Sequence, residues 1–237
     1  MIRIGITWCD NLLTQSHYTQ WISAGDPEIE VITLNYEQSQ PEEVLRCDGL
    51  LISGGVDIEP ERHGQKRGYA GQPDRFDPQR DEFEFRLFEL SRKHAMPLLG
   101  VCRGMQLINC ALGGSLHLDN GDEANLLHCS ENYRSFHCVD VAPSTLLQQI
   151  CNTPQILVNS QHHQSIARLG SDLVANCHFQ GVIEGIEWRA PAGKPFLLGV
   201  QWHPEAMSKY GAGSLPGAKA IRQSFLTAVQ DQAAGAS

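Results

Sequence analysis

The chain has 237 residues, 41% of them hydrophobic, enough for one generous α/β domain and too few for two ordinary ones. Its formal net charge of -9, with no cluster of Lys or Arg, argues against a nucleic-acid partner, because phosphate-backbone binding rests on grouped basic side chains. No apolar run approaches the ~18 residues that span a bilayer, so no membrane partner is expected.

The opening MIRIGITWCD lacks a basic region followed by a long apolar stretch. Eight cysteines are scattered in mostly apolar surroundings. A reduced, cytoplasmic protein is expected rather than a disulfide-stapled one.

In chain order, short apolar runs alternate with helix-like stretches, as in a parallel sheet covered by helices. Strands are predicted over residues 2–7, 30–34, 49–53 and 98–101. A weakly marked helix is predicted over 15–24 and a stronger one over 81–94, before Pro97. Arg80, Asp81, Glu82 and Glu84 could form a polar cluster near a site, but the preferred reading is a first helical turn, where capping and the dipole favour acidic residues without further function. After Cys102 the run MQLINCAL predicts a buried helix ending at Gly113-Gly114. The second half gives strands over 137–141, 155–158, 173–177, 183–188 and 196–201, a closing helix over 218–229 and a frayed tail at 231–237.

Residues 56–79, VDIEPERHGQKRGYAGQPDRFDPQ, are rich in Gly, Pro and charge and show no periodicity. They directly follow an apolar strand ending in Gly54-Gly55, so a loop at the mouth of a site is expected.

Between the strand at 98–101 and the helix after it stands Gly100-Val101-Cys102-Arg103-Gly104, a cysteine version of the G-x-S-x-G nucleophile elbow. A strand turning sharply into a helix lifts one side chain out of the sheet. The helix N-terminus favours a thiolate there, and the Arg103 N–H would face the space above the sulfur. A small core cysteine between element-ending glycines is the other reading of these five residues. A nucleophilic thiol needs a base. His203, in GVQWHPE, follows an apolar strand, with Pro204 fixing a turn and Glu205 two residues on, where a carboxylate could orient the imidazole. Standing alone, the pair could equally be a loop histidine beside an incidental glutamate.

GVCRGMQ, the strand-end Ser53-Gly54-Gly55 and the C-terminal GVQWHPE together resemble the class I glutamine amidotransferase superfamily. GGVDIEP at 54–60, RDEFE at 80–84, GGSLH at 113–117, VNSQHHQ at 158–164 and EGIE at 184–187 resemble more narrowly its γ-glutamyl hydrolase branch, the peptidase C26 type. The resemblance runs from about Asp48 to Glu205. It implies a three-layer α/β/α, flavodoxin-like, mostly parallel sheet with additional antiparallel strands, in one domain. It also implies Cys102 as nucleophile, His203 as base and then acid, and Glu205 as orienting carboxylate. Backbone N–H groups of Gly55 and Arg103 would form the oxyanion hole. Gly54, Gln106, Ser160, Gln161 and His162 would line the substrate pocket. The chain departs from the branch at His63-Gly64, at Leu118 and in a shorter segment over 119–134, which bears on substrate preference.

His128-Cys129 and His137-Cys138 repeat a pair nine residues apart, but fit neither C-x2-4-C nor H-x3-5-H zinc spacing. No metal and no other cofactor is expected. The function implied is hydrolysis of a γ-glutamyl amide, a small-molecule substrate, with the leaving amine unspecified. A glutaminase subunit serving a synthase partner is the alternative, disfavoured because GGVDIEP stands where such subunits more often carry a Gly-Pro-Gly loop. A non-catalytic module of the same fold is the third reading. A homodimer is the base-rate expectation for assembly.

Overall fold

In a computed structural model the chain is described over residues 1–69, 71–129, 135–210 and 216–235. In order, the elements are β1 (Ile2–Thr7), α1 (Leu12–Ser23), β2 (Ile29–Leu34), β3 (Gly49–Ile52), α2 (Pro78–Lys93), β4 (Leu98–Val101) and α3 (Arg103–Ala111). Then follow β5 (Ser115–His117), α4 (Asp122–His128), β6 (Ser135–Val141), α5 (Leu146–Cys151), β7 (Gln155–Ser160) and β8 (Ser165–Arg168). The last are β9 (Leu173–Phe179), β10 (Val182–Trp188), β11 (Leu197–Val200) and α6 (Pro216–Gly235).

Nine strands form one mixed sheet in the order β2-β1-β3-β4-β11-β10-β9-β6-β7. The first five are parallel, and the last four join antiparallel. Every residue of β3, β4 and β11 is buried, which is why they read as unbroken apolar runs. In β6 the inward residues are His137, Val139 and Val141, alternating with outward ones. One apolar cluster packs Ile4, Leu51, Leu99 and Val200 against Tyr18 and Ile22 of α1 and Ile221 and Phe225 of α6. A second packs Leu50, Ile52 and Leu98 against Leu87 and Phe88 of α2 and Met105 and Ile108 of α3. The sheet is thus the middle of three layers, as predicted.

Several predicted bounds move for identifiable reasons. Asn11 caps α1, its side chain accepting from the N–H groups of Leu13 and Thr14, so this helix begins before residue 15. Asp77 caps α2 by accepting from the Arg80 N–H, with Pro78 at the first helical position, as proline favours. Residues 78 and 79 therefore belong to a helix, and the preceding segment contains a 3-10 turn at Pro60–His63. The expected frayed tail is helical through Gly235; residues 236 and 237 lie outside the described residues. The short β5–β8 pair, α4 and α5 were not anticipated. Of the segment 119–134, residues 130–134 also lie outside the described residues. Among the described residues, no helix is long and apolar enough to cross a membrane.

Candidate active site

The strand order reverses between β1 and β3, and the cleft lies at the carboxyl ends of β1, β3 and β4. Such a switch point opens a crevice in an α/β sheet. From β4 the chain turns at Cys102, whose N–H donates to the Val200 carbonyl at 2.8 Å. Its backbone sits at φ 53, ψ -110. A non-glycine residue held there stores about 1–3 kcal/mol of strain. The flanking glycines are required by contact. A Cβ at Gly104 would lie 2.0 Å from the Ile52 carbonyl oxygen, and one at Gly100 would lie 2.8 Å from the Met105 nitrogen. The G-V-C-R-G spacing thus follows from α3 crossing close over β3 and β4.

His203 arrives from the end of β11. Asn159 of β7 pins it, accepting from the His203 N–H and donating to its carbonyl, both at 3.0 Å. Its Nδ1 lies 2.8 Å from Glu205 Oε1, and the ring also hydrogen-bonds Cys102. Burial disfavours the imidazolium, but the charges and hydrogen bonds of Glu205 and Cys102 outweigh it and push His203 up to about 10. Gln201 Nε2 donates to Cys102 Sγ at 3.5 Å. The three residues expected to act together are therefore adjacent.

The opposite wall is the turn after β3. A Cβ at Gly54 would stand 3.0 Å from His203 Cε1 and 3.6 Å from Cys102 Cβ, so a side chain there would crowd the histidine ring. The Gly54 N–H donates to Tyr18 Oη at 2.9 Å. The Gly55 N–H makes no hydrogen bond among the described residues, and the Arg103 N–H is the first of α3, without an intrahelical acceptor.

Behind this turn lies a buried ionic network, so residues 80–84 do more than cap a helix and three of them form a polar cluster behind the site. Arg80, Asp81 and Glu84 are buried. Arg80 donates to the Gly54 carbonyl at 2.8 Å, to Ser53 Oγ at 3.2 Å, to Glu84 at 2.9 Å and to Asp10 at 3.0 Å. Arg103 pairs with both Glu84 and Asp81. Burial opposes ionised Glu84, yet Arg103 and Arg80 hold its carboxyl below the usual range. Glu82 faces solvent and pairs with Arg62.

The cleft has a volume of about 360 Å³ and is lined by Cys9, Asp10, Thr14, Tyr18, Gly54, Gly55, Val56, Cys102, Gln161 and His203. Its size is at the small end for small-molecule sites. Of the expected pocket residues, Gly54 and Gln161 line it. Gln106 instead stands behind Cys102, its Nε2 donating to the Gln164 carbonyl and to Gln201 Oε1. Ser160 and His162 are buried in another group, Ser160 Oγ donating to the His128 carbonyl at 2.9 Å and His162 Nε2 lying 3.4 Å from Glu184. Sequence reasoning missed Cys9, Asp10, Thr14 and Tyr18. Their one signal was position, directly after the first strand, where a switch point places its loops.

Comparison with known proteins agrees with this architecture. The model of the Peptidase C26 family matches residues 7–205. Protein NtpR of Enterococcus hirae is 36% identical over 168 residues, 68% of this chain and 67% of NtpR. Gamma-glutamyl-gamma-aminobutyrate hydrolase PuuD of Escherichia coli K12 is 29% identical over 248 residues, 96% of this chain and 93% of PuuD. The glutaminase domain of Trypanosoma brucei CTPS, solved with bound acivicin, superposes with a TM-score of 0.65 at 16% identity, covering 98% of this chain and 94% of that one. The fold is that of glutamine amidotransferase domains. The matched span includes β3, the elbow and the turn carrying His203 and Glu205, and the chain belongs to the peptidase C26 family.

Proposed function

We propose that the chain is a cysteine-dependent hydrolase of γ-glutamyl amides, acting through a γ-glutamyl thioester. The observation that carries this reading is the strained Cys102 at a helix N-terminus, hydrogen-bonded to a His203 that Glu205 keeps protonated. Cys102 Sγ attacks the γ-carbonyl carbon, and the carbonyl oxygen takes the negative charge against the N–H groups of Gly55 and Arg103. As the C–N bond breaks, imidazolium His203 gives its proton to the departing amine. Neutral His203 then takes a proton from water, whose oxygen attacks the thioester carbon. Glutamate leaves and the thiolate returns, so one difficult step becomes two easier ones. Asp10, Thr14 and Gln161 line the cleft, where the amino-acid end of the substrate would lie. The name of the full-length relative PuuD supports a γ-glutamyl conjugate over free glutamine.

Glutamate release, followed by mass spectrometry, tests the proposal on γ-glutamyl-γ-aminobutyrate, a γ-glutamyl polyamine, a γ-glutamyl aromatic amide and glutamine. Rapid release from a conjugate, absent in Cys102→Ala, is expected. Release from glutamine alone, or undiminished release by Cys102→Ala, overturns it.

A further inference from the structure

Outside the cleft, four side chains that the hydrolysis does not use converge in the interior. His128 ends α4, His137 lies on β6, His162 follows β7, and Glu184 lies on β10. Their side-chain exposures are 1%, 6%, 2% and 0%. Glu184 Oε1 is 3.3 Å from His128 Nδ1, 3.5 Å from His137 Nε2 and 3.4 Å from His162 Nε2. His128 Nδ1 is 3.1 Å from His162 Nε2.

Hydrogen bonding joins His128 to His162 but leaves Glu184 and His137 to be explained. Among the described residues, neither oxygen of Glu184 and neither ring nitrogen of His137 has a hydrogen-bond partner of good geometry, although all are buried. Native interiors rarely leave such groups without a reason. His162 Nδ1 lies 2.9 Å from the Gln164 carbonyl, which can only accept, so Nδ1 carries the proton.

We propose that His128, His137, His162 and Glu184 form a closed, structural zinc site. Zinc bonds to imidazole nitrogen and carboxylate oxygen are ~2.0–2.2 Å, so tetrahedral donors stand about 3.4 Å apart. The separations of 3.1, 3.3, 3.4 and 3.5 Å match four of the six edges, and His128, His137 and Glu184 offer donor atoms that all lie within 4.8 Å of one another. A set of three nitrogens and one oxygen suits zinc, whereas calcium and magnesium take oxygen ligands. The His162 Nδ1–H held by a carbonyl is the outer contact that fixes a ligating tautomer. Four protein donors leave no open position for chemistry. The ion would tie α4, β6 and β10 to the segment after β7. That segment delivers Gln161 to the cleft, and its Gln164 carbonyl accepts from Gln106 behind Cys102.

The purified full chain, loaded with zinc sulfate and dialysed against metal-free buffer, tests this by elemental analysis. About one zinc per chain should remain, with at least tenfold weaker retention in Glu184→Gln and His137→Gln. Because eight free thiols compete, and because either variant could fail to fold, cobalt(II) is also bound to the wild-type chain. A tetrahedral visible absorption without a thiolate charge-transfer band is expected. Loss of zinc from the wild-type chain on dialysis, full retention by the folded variants, or thiolate bands with cobalt would each overturn the site.

Discussion

His203 is buried, and burial alone would keep its ring neutral near pH 7. The Glu205 carboxylate and Cys102 reverse that, holding the imidazolium up to about 10. Two consequences follow from the sign. The ordinary imidazole value is near 6.5, so the stabilising contribution of the folded imidazolium is complete below that pH and is lost as pH rises through about 10. Catalysis through a protonated His203 should likewise lose its proton donor as pH rises through that value. Glu205→Gln removes the largest upward influence, so its kcat/KM profile should break at lower pH than wild type, with turnover reduced but not abolished. Its stability should also decline less between pH 7 and 10. An unchanged alkaline break, measured on γ-glutamyl amide hydrolysis, would detach Glu205 from His203.

At the level of elements, β3, β4 and β11 are legible because strands covered on both faces are continuous apolar runs. The elbow is legible because Gly100 and Gly104 are imposed by contacts under 3 Å. Helix α2 shows where such reading stops. Arg80, Asp81, Glu82 and Glu84 look alike in sequence, and nothing local tells that only Glu82 faces water. The other three meet Arg103, Asp10 and the turn carrying Gly54, partners contributed by distant segments. The difference is measurable. Glu84→Gln leaves two buried guanidinium groups short of a counter-charge and should cost about 3 kcal/mol or more. Glu82→Gln at the exposed pair should stay within about 0.5 kcal/mol. Urea denaturation of both variants decides it, and equal midpoints would mean that the buried network contributes no net stability.

Across the whole molecule, the cleft is assembled from segments that only the sheet topology brings together, and its rim illustrates this best. The segment after β3 reads as an aperiodic loop, yet it is docked. His163 Nε2 lies 3.1 Å from Asp57 Oδ1, and its Nδ1 lies 3.3 Å from Asp119 Oδ2. Tyr69 Oη donates to Asp57 at 3.2 Å and is itself met by Gln164 Nε2 at 3.4 Å. The chain between Asp57 and Tyr69 is thus fastened at both ends to the turn after β7, which His163 also ties to Asp119 after β5, with Val56 on the cleft wall. Composition revealed the loop but could not reveal fasteners about 100 residues away. His163→Gln should release the Asp57 end. Local opening sets protease susceptibility when closing is fast, so trypsin should cut at Lys66 or Arg67 several-fold faster than in wild type. Alkylation of Cys102 should proceed unchanged, while kcat/KM for γ-glutamyl amides falls chiefly through KM. Cleavage at the wild-type rate would show that the loop is held by its 3-10 turn and the Arg62 and Arg67 ion pairs, and that His163 does not fasten it.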